Sequence, residues 1–345
     1  MALVLTVGGD RWRAHLRGLA EATPGLVPVA KGNGYGFTLG RLARKAGWLG
    51  VDTLAVGTYE ELPEVADRYP GDLLVLTPWR PFQPAPETSI AGRVIHTVSR
   101  PEDLPRLLEA QPRARFVLEL QTSMRRHGMS AQQLWAIAKP LGGRLEGVAL
   151  HLPLASGNHL PEVERLLTDV VAAELPVGTV WVSHLSATEL ATLRTAYADL
   201  TVRPRIGTDL WLGDREALRV TATVLDVHEL ARGDVFGYRG RSAPRDGHLL
   251  VVSGGTAHGI GLEAPKGDTG LRARAGALAR GGMDAVGLSR SPYWVDGKQR
   301  LFAEPPHMQA SMLFLPRDAA VPEVGDLVDV RVRYTATTFD RVVVT

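Results

Sequence analysis

Five lysines occur in the 345-residue sequence, and one of them closes an apolar run: Val27, Pro28, Val29, Ala30, Lys31, followed by Gly32-Asn33-Gly34-Tyr35-Gly36. The other four, Lys45, Lys139, Lys266 and Lys298, stand among polar, proline or glycine neighbours that read as helix surface or loop. A lysine at the C-terminal end of a buried strand loses hydration, which disfavours the ammonium and lowers its pKa. The neutral amine is a nucleophile toward aldehydes and a candidate Schiff-base former. The glycine-rich segment that follows offers backbone N–H groups and the Tyr35 phenol, donors that suit a phosphate. An amine for an aldehyde beside donors for a phosphate points to pyridoxal 5′-phosphate.

The elements that must hold this lysine alternate along the first two thirds of the chain. Apolar or β-branched runs at Leu26–Lys31, Thr53–Gly57, Leu73–Leu76, Val94–Val98, Phe116–Leu120, Gly147–His151, Thr179–His184 and Thr201–Ile206 predict strands. Helical patterns lie between them, among them Gly40–Ala46, Glu60–Tyr69, Ala131–Leu141 and Pro161–Leu175. Eight strand–helix units without a Gly-x-Gly-x-x-Gly turn favour a (β/α)8 TIM barrel over a doubly wound open sheet.

After Gly213 the pattern changes to strands with little helix: Val220–Leu225, His248–Ser253, Val286–Leu288, Tyr293–Val295, Leu301–Ala303, Met312–Leu315, Leu327–Tyr334 and Val342–Val344, with a hairpin turn at Asp296-Gly297. The expected organisation is a barrel over residues 1–215 that holds the cofactor, then a C-terminal all-β domain over 216–345.

Composition narrows the classes of function. Net charge is +2 and no basic block stands out, which gives no case for nucleic acid. There is no cysteine, so disulfides, thiolate nucleophiles and cysteine-held metals are excluded. Asp10, Arg11, Arg13 and Arg17 interrupt the first twenty residues, and no run of 18 apolar residues occurs. The expectation is a soluble cytoplasmic protein that meets neither membrane nor nucleic acid.

A barrel with a lysine ending its first strand, then Asn-x-Tyr-Gly, then an all-β domain, resembles alanine racemase and its fold-type-III pyridoxal-phosphate relatives. The stretch Val29–Gly36 matches the family's Val-Lys-Ala-Asn-Ala-Tyr-Gly. The resemblance implies that Lys31 binds the cofactor and serves as the base on one face, with Tyr35 on the phosphate. Leu120–Gly128 is similar to the family's Val-Asp-Thr-Gly-Met-Gly-Arg-x-Gly, which makes Arg126 the arginine for the cofactor phenol oxygen or the substrate carboxylate. His151 matches the histidine ending a mid-barrel strand, and Ser186 matches the phosphate serine of Asn-Ser-Ala. Arg205 resembles the arginine facing the pyridine nitrogen, with Arg203 as the alternative, and Gly207 and Thr208 would offer N–H groups to phosphate. A guanidinium cannot accept the ring proton, so the carbanion stays less delocalised and is reprotonated at once. In the β domain, Arg232–Gly240 resembles Gly-x-x-Val-Ser-Tyr-Gly and makes Tyr238 the second base. That tyrosine acts across subunits in the family, which implies a homodimer. Met308 would recognise the substrate carboxylate through its backbone.

Four departures accompany the match. Glu119 stands where the family has an often carbamylated lysine, and is expected to supply the anion that orients Arg126. Phe37 replaces a common histidine, and Thr256 replaces the tyrosine that narrows the substrate entrance. Pro306-His307-Met308-Gln309 replaces Cys-Met-Asp-Gln, and the sequence stops at Thr345 before the family's Tyr-Arg-Val-Pro-Arg-like tail. The resemblance implies a pyridoxal-phosphate racemase of alanine or another small amino acid, with D-alanine for cell-wall precursors as the role. The departures leave open a larger substrate, or a cofactor-binding regulatory or interaction protein with reduced turnover.

Overall fold

The computed structural model describes residues 2–137, 144–154, 157–262 and 289–345. It divides into two compact units, one spanning Arg13–Gly213, the other joining an N-terminal stretch that ends at Trp12 to Asp214–Thr345.

The first strand, β1 (Leu3–Val7), belongs to the second unit, although the expected boundary left residues 1–215 in the barrel. It pairs antiparallel with Leu218–Ala222 and parallel with Arg341–Val344. Its burial alternates, with Leu3, Leu5 and Val7 inside and Val4 and Thr6 half-exposed. That pattern suits a sheet with one wet face, whereas barrel strands are covered on both.

The barrel closes through eight parallel strands: β2 (Val27–Ala30), β3 (Thr53–Val56), β4 (Asp72–Val75), β5 (Val94–Val98), β6 (Arg115–Leu120), β7 (Arg144–His151), β8 (Thr179–Ser183) and β9 (Thr201–Ile206). All eight expected strands are present, most shifted by a residue or more at an end. The interior is filled by Val27, Val29, Ala55, Leu74, Ile95, Val117, Ala149 and Trp181, with relative exposure of 7 % or less. Each valine, leucine or isoleucine in this layer contributes on the order of 1.5–3 kcal/mol by leaving water. Because a strand alternates faces, the residues two positions beyond this layer point to the barrel's C-terminal mouth. Those positions include Lys31 after Val29, Glu119 after Val117, His151 after Ala149 and Ser183 after Trp181.

The second unit is a sheet ordered β13-β16-β15-β14-β17-β10-β1-β18, in which β10 (Leu218–Leu230) also pairs with β13 (Gly247–Ser253). The remaining members are β14 (Arg290–Val295), β15 (Lys298–Phe302), β16 (Ala310–Pro316), β17 (Leu327–Val330) and β18 (Arg341–Val344). A separate two-stranded ribbon pairs β11 (Val235–Phe236) with β12 (Arg241–Ser242) and carries Tyr238 in its turn. The expected strand at Val286–Leu288 and the end of the helix expected to reach Leu141 lie outside the described residues. Among the described residues no helix is long and apolar enough to cross a membrane.

Candidate active site

Lys31 follows β2 directly and is open to the mouth of the barrel. Desolvation by the surrounding walls pulls its ammonium below the ordinary lysine range; Arg126 and Arg205 add to this, and Glu61 opposes it. Glu61 stands close because its carboxylate ties two loops together. It accepts the Gly32 N–H at 2.7 Å and the Gly57 N–H at 2.6 Å, joining the chain after β2 to the chain after β3. Sequence reasoning passed over Glu61; the Thr58-x-x-Glu61 spacing of a capping box, placed just after a strand, is the signal that marks it.

Tyr35 is buried and takes a left-handed backbone conformation, φ +54°. Its phenol reaches the loop after β9, where a Cβ built on Gly207 would fall 2.1 Å from the Tyr35 hydroxyl. Only glycine leaves room for that approach, so Gly207 and Tyr35 form one cradle at the start of the Thr208–Leu212 helix. Burial pushes the Tyr35 phenol up to about 12, so it stays protonated and available as a donor.

Arg205 is 6 % exposed, and its Nη2 donates to the Leu150 carbonyl at 2.9 Å. Burial lowers its guanidinium to about 10, with Glu119 resisting and Arg126 adding to the fall; it remains charged at neutral pH. Arg203 instead pairs with Asp52, which precedes β3, and covers the Trp181 ring at 4.5 Å. It is therefore engaged toward the N-terminal end of the barrel.

Glu119 is 5 % exposed, its carboxyl raised by burial. The strongest pull back toward the charged form comes from Arg205, with Arg126 second, and Glu119 Oε2 has no hydrogen-bond partner. Both guanidinium groups thus act on Glu119, Arg205 more strongly than the Arg126 it was expected to orient. Arg126 lies exposed on the loop after β6. That loop is closed by Gln121 N–H to the Met129 carbonyl (2.9 Å), Met129 N–H to the Glu119 carbonyl (2.8 Å) and Thr122 Oγ1 to the His151 carbonyl (2.6 Å).

His151 shares a 3.1 Å hydrogen bond with Ser183 Oγ and stands edge-on to His184 at 5.3 Å. Burial, then Arg205 and Arg126, holds its imidazole down to about 3, so it is neutral. His184 is a second member that the sequence reading missed; it adopts φ +63° and is likewise depressed by burial and by Arg205. Ser186 follows β8 as expected, but its hydroxyl is committed. It caps the Ala187–Ala196 helix, donating to Glu189 Oε2 at 2.7 Å and accepting the Glu189 N–H at 3.2 Å. The hydroxyl proton expected for a phosphate is donated here to the Glu189 carboxylate.

The β unit gathers its own expected residues. Tyr238 is 88 % exposed, and its ring lies 4.6 Å from that of His307. Thr256 N–H donates to the His307 carbonyl at 2.8 Å, and Ala257 N–H to the Met308 carbonyl at 3.0 Å. The Met308 side chain is exposed. Among the described residues no cluster of His, Asp and Glu is arranged to hold a metal ion.

Comparison with known proteins finds relatives in sequence and in fold. Residues 9–212 match the family model described as alanine racemase, N-terminal domain. An alanine racemase of Dinoroseobacter shibae is 30% identical over 276 residues, covering 74% of this chain and 75% of that protein. The fold is shared with the alanine racemase of Bartonella henselae, solved with covalently bound pyridoxal phosphate (TM-score 0.73, 17% identity, all of both chains covered). It is also shared with that of E. faecalis (TM-score 0.70, 18% identity, 99% of this chain and 98% of the other).

Proposed function

Because this chain belongs to the alanine racemase family, we propose that it is an amino-acid racemase that works with pyridoxal 5′-phosphate and interconverts the enantiomers of alanine or another small amino acid. The observation that carries the reading is the meeting of Lys31, Arg126, His151, Arg205 and the Tyr35–Gly207 cradle at one barrel mouth.

The donor set fits the cofactor. A phosphate needs donors and positive potential, and Tyr35, Gly207 and Thr208 would hold it in a field set by Lys31, Arg126 and Arg205. Ser186 joins that set only by giving up its bond to Glu189. When bound, pyridoxal 5′-phosphate supplies the electron sink for the pair left on the substrate α-carbon. Lys31 offers an amine made nucleophilic by desolvation. Arg205 would face the ring nitrogen as a donor; a guanidinium cannot accept the ring proton, so its presence there would favour return of a proton to the α-carbon. Neutral His151 beside it adds no further positive charge.

Arg126 would pair with the substrate carboxylate, and the Met308 backbone would meet the same group. Lys31 Nζ and Tyr238 Oη would take and return the α-proton on opposite faces, and a planar centre served from both sides inverts. Tyr238 would serve the site of the second copy in a homodimer. Thr256, small where the family carries tyrosine, supports an entrance open to side chains larger than that of alanine. A cytoplasmic supply of D-amino acids for the cell wall is the cellular role this reading implies.

Exchange of the α-hydrogen for deuterium, followed by proton NMR on L- and D-alanine separately, tests the proposal. Both enantiomers are expected to exchange and interconvert. Bound cofactor with exchange of neither, across a panel of L-amino acids, would replace the racemase with a cofactor-binding regulator.

A further inference from the structure

The β unit contains a buried carboxylate whose contacts converge on Tyr238. Glu304 is 2 % exposed, and its Oε1 lies 2.6 Å from His307 Nε2. The same oxygen accepts the Tyr238 backbone N–H at 3.4 Å. The His307 ring then packs on the Tyr238 ring, centroids 4.6 Å apart and planes tilted by 48°. One carboxylate therefore touches the backbone of the tyrosine and the imidazole that leans on its side chain. Gly237 makes the approach possible: its φ is +72°, and a Cβ there would fall 2.3 Å from Glu304 Oε2.

His307 is itself anchored to the sheet, while Tyr238 rides on a ribbon of two-residue strands. The His307 N–H donates to the Ala310 carbonyl at 2.9 Å, at the start of β16, and its carbonyl accepts the Thr256 N–H. A carboxylate only accepts when ionised, so the bond to Glu304 keeps the proton of His307 on Nε2 and fixes the plane of the ring. A tyrosine 88 % exposed on a short turn has several rotamers open to it. A proton-transfer group needs one of them.

The geometry points to Glu304 and His307 as positioning residues that hold the Tyr238 side chain in the rotamer presenting its Oη for proton transfer. This rests on the reading of Tyr238 as the second base. Neither residue needs to touch the substrate. His307 acts through ring contact, and Glu304 acts by holding His307 and the Tyr238 backbone in register.

The test compares α-hydrogen exchange of the two alanine enantiomers in the cofactor-loaded enzyme and its variants. Tyr238→Phe identifies the enantiomer whose proton Tyr238 removes, since only its exchange is lost. His307→Gln keeps a donor for Glu304, so the carboxylate stays partnered, but removes the ring. It is expected to slow exchange of that same enantiomer by about tenfold or more, with the other enantiomer within about twofold and the cofactor absorbance unchanged. Glu304→Gln, which keeps an acceptor for Nε2, is expected to show the same selectivity with a smaller loss. Equal slowing of both enantiomers, or no slowing in His307→Gln, overturns the positioning role while leaving Tyr238 as a base. If Tyr238→Phe affects neither enantiomer, the second-base reading fails and the positioning role with it.

Discussion

Lys31 is tuned by its neighbours. Its amine is depressed by desolvation first and by Arg126 second, with Glu61 as the nearby opposing charge. That balance favours an amine able to attack an aldehyde. The proposed phosphate cradle depends on one missing methyl group. Gly207→Ala would put a carbon 2.1 Å from the present position of the Tyr35 hydroxyl. Displacing that donor is expected to weaken cofactor binding by about tenfold or more, read by fluorescence titration of the purified protein with pyridoxal 5′-phosphate. Undiminished affinity would show that the cradle does not hold the phosphate. Lys31 and Tyr35 were legible in sequence because an apolar run and a glycine cluster frame them. Glu61 and His184 were harder to place: the Thr58-x-x-Glu61 spacing marks a capping box but not the side it faces, and a lone histidine looks the same whether it faces a mouth or solvent. The choice between Arg203 and Arg205 needed the depth of each along β9, which residue types do not carry.

The barrel strands stood out in the sequence because most carry a continuous apolar or β-branched stretch, unbroken in β2 and β3 and interrupted by single charged or polar residues in strands such as β4, β5 and β6, as suits strands covered on both faces. β1 did not, since its alternating pattern belongs to a sheet whose partners lie more than 200 residues away. The segment expected as one helix over Glu60–Tyr69 is broken into a 3-10 turn, Tyr59–Glu61, and a short helix, Leu62–Ala66, because Glu61 turns back to the loops it ties. Ser186 shows the same tension. Its resemblance to a phosphate ligand was legible, yet the Ser186-Ala187-Thr188-Glu189 spacing also spells a capping box, and the structure uses it as one. Ser186→Ala is therefore expected to cost about 1 kcal/mol in urea unfolding, with cofactor affinity changed by less than about threefold. A tenfold loss of affinity at unchanged stability would instead make Ser186 a phosphate ligand.

Across the whole molecule, acid sensitivity follows from buried imidazoles. His96 is fully buried against the Tyr59 hydroxyl at 2.8 Å, and burial holds its imidazole down to about 4. The unfolded ring gains its proton as pH falls through 6.5, whereas the folded ring resists until about 4. Stability is complete above 6.5 and is lost progressively as pH falls through that window, by up to about 3 kcal/mol. Neutral His151 adds a loss of the same sign. Urea midpoints are expected to fall between pH 6.5 and pH 4, and the fall to be shallower in His96→Gln; an unchanged slope would remove His96 as its source.

The central claim is that a single amine at the barrel mouth forms the covalent link to the cofactor. It is tested most directly by incubating the protein with pyridoxal 5′-phosphate, reducing with borohydride and mapping the modified peptide. The account predicts one label, on Lys31, abolished in Lys31→Arg. A label on Lys45, Lys139, Lys266 or Lys298, or no stable label at all, would contradict it.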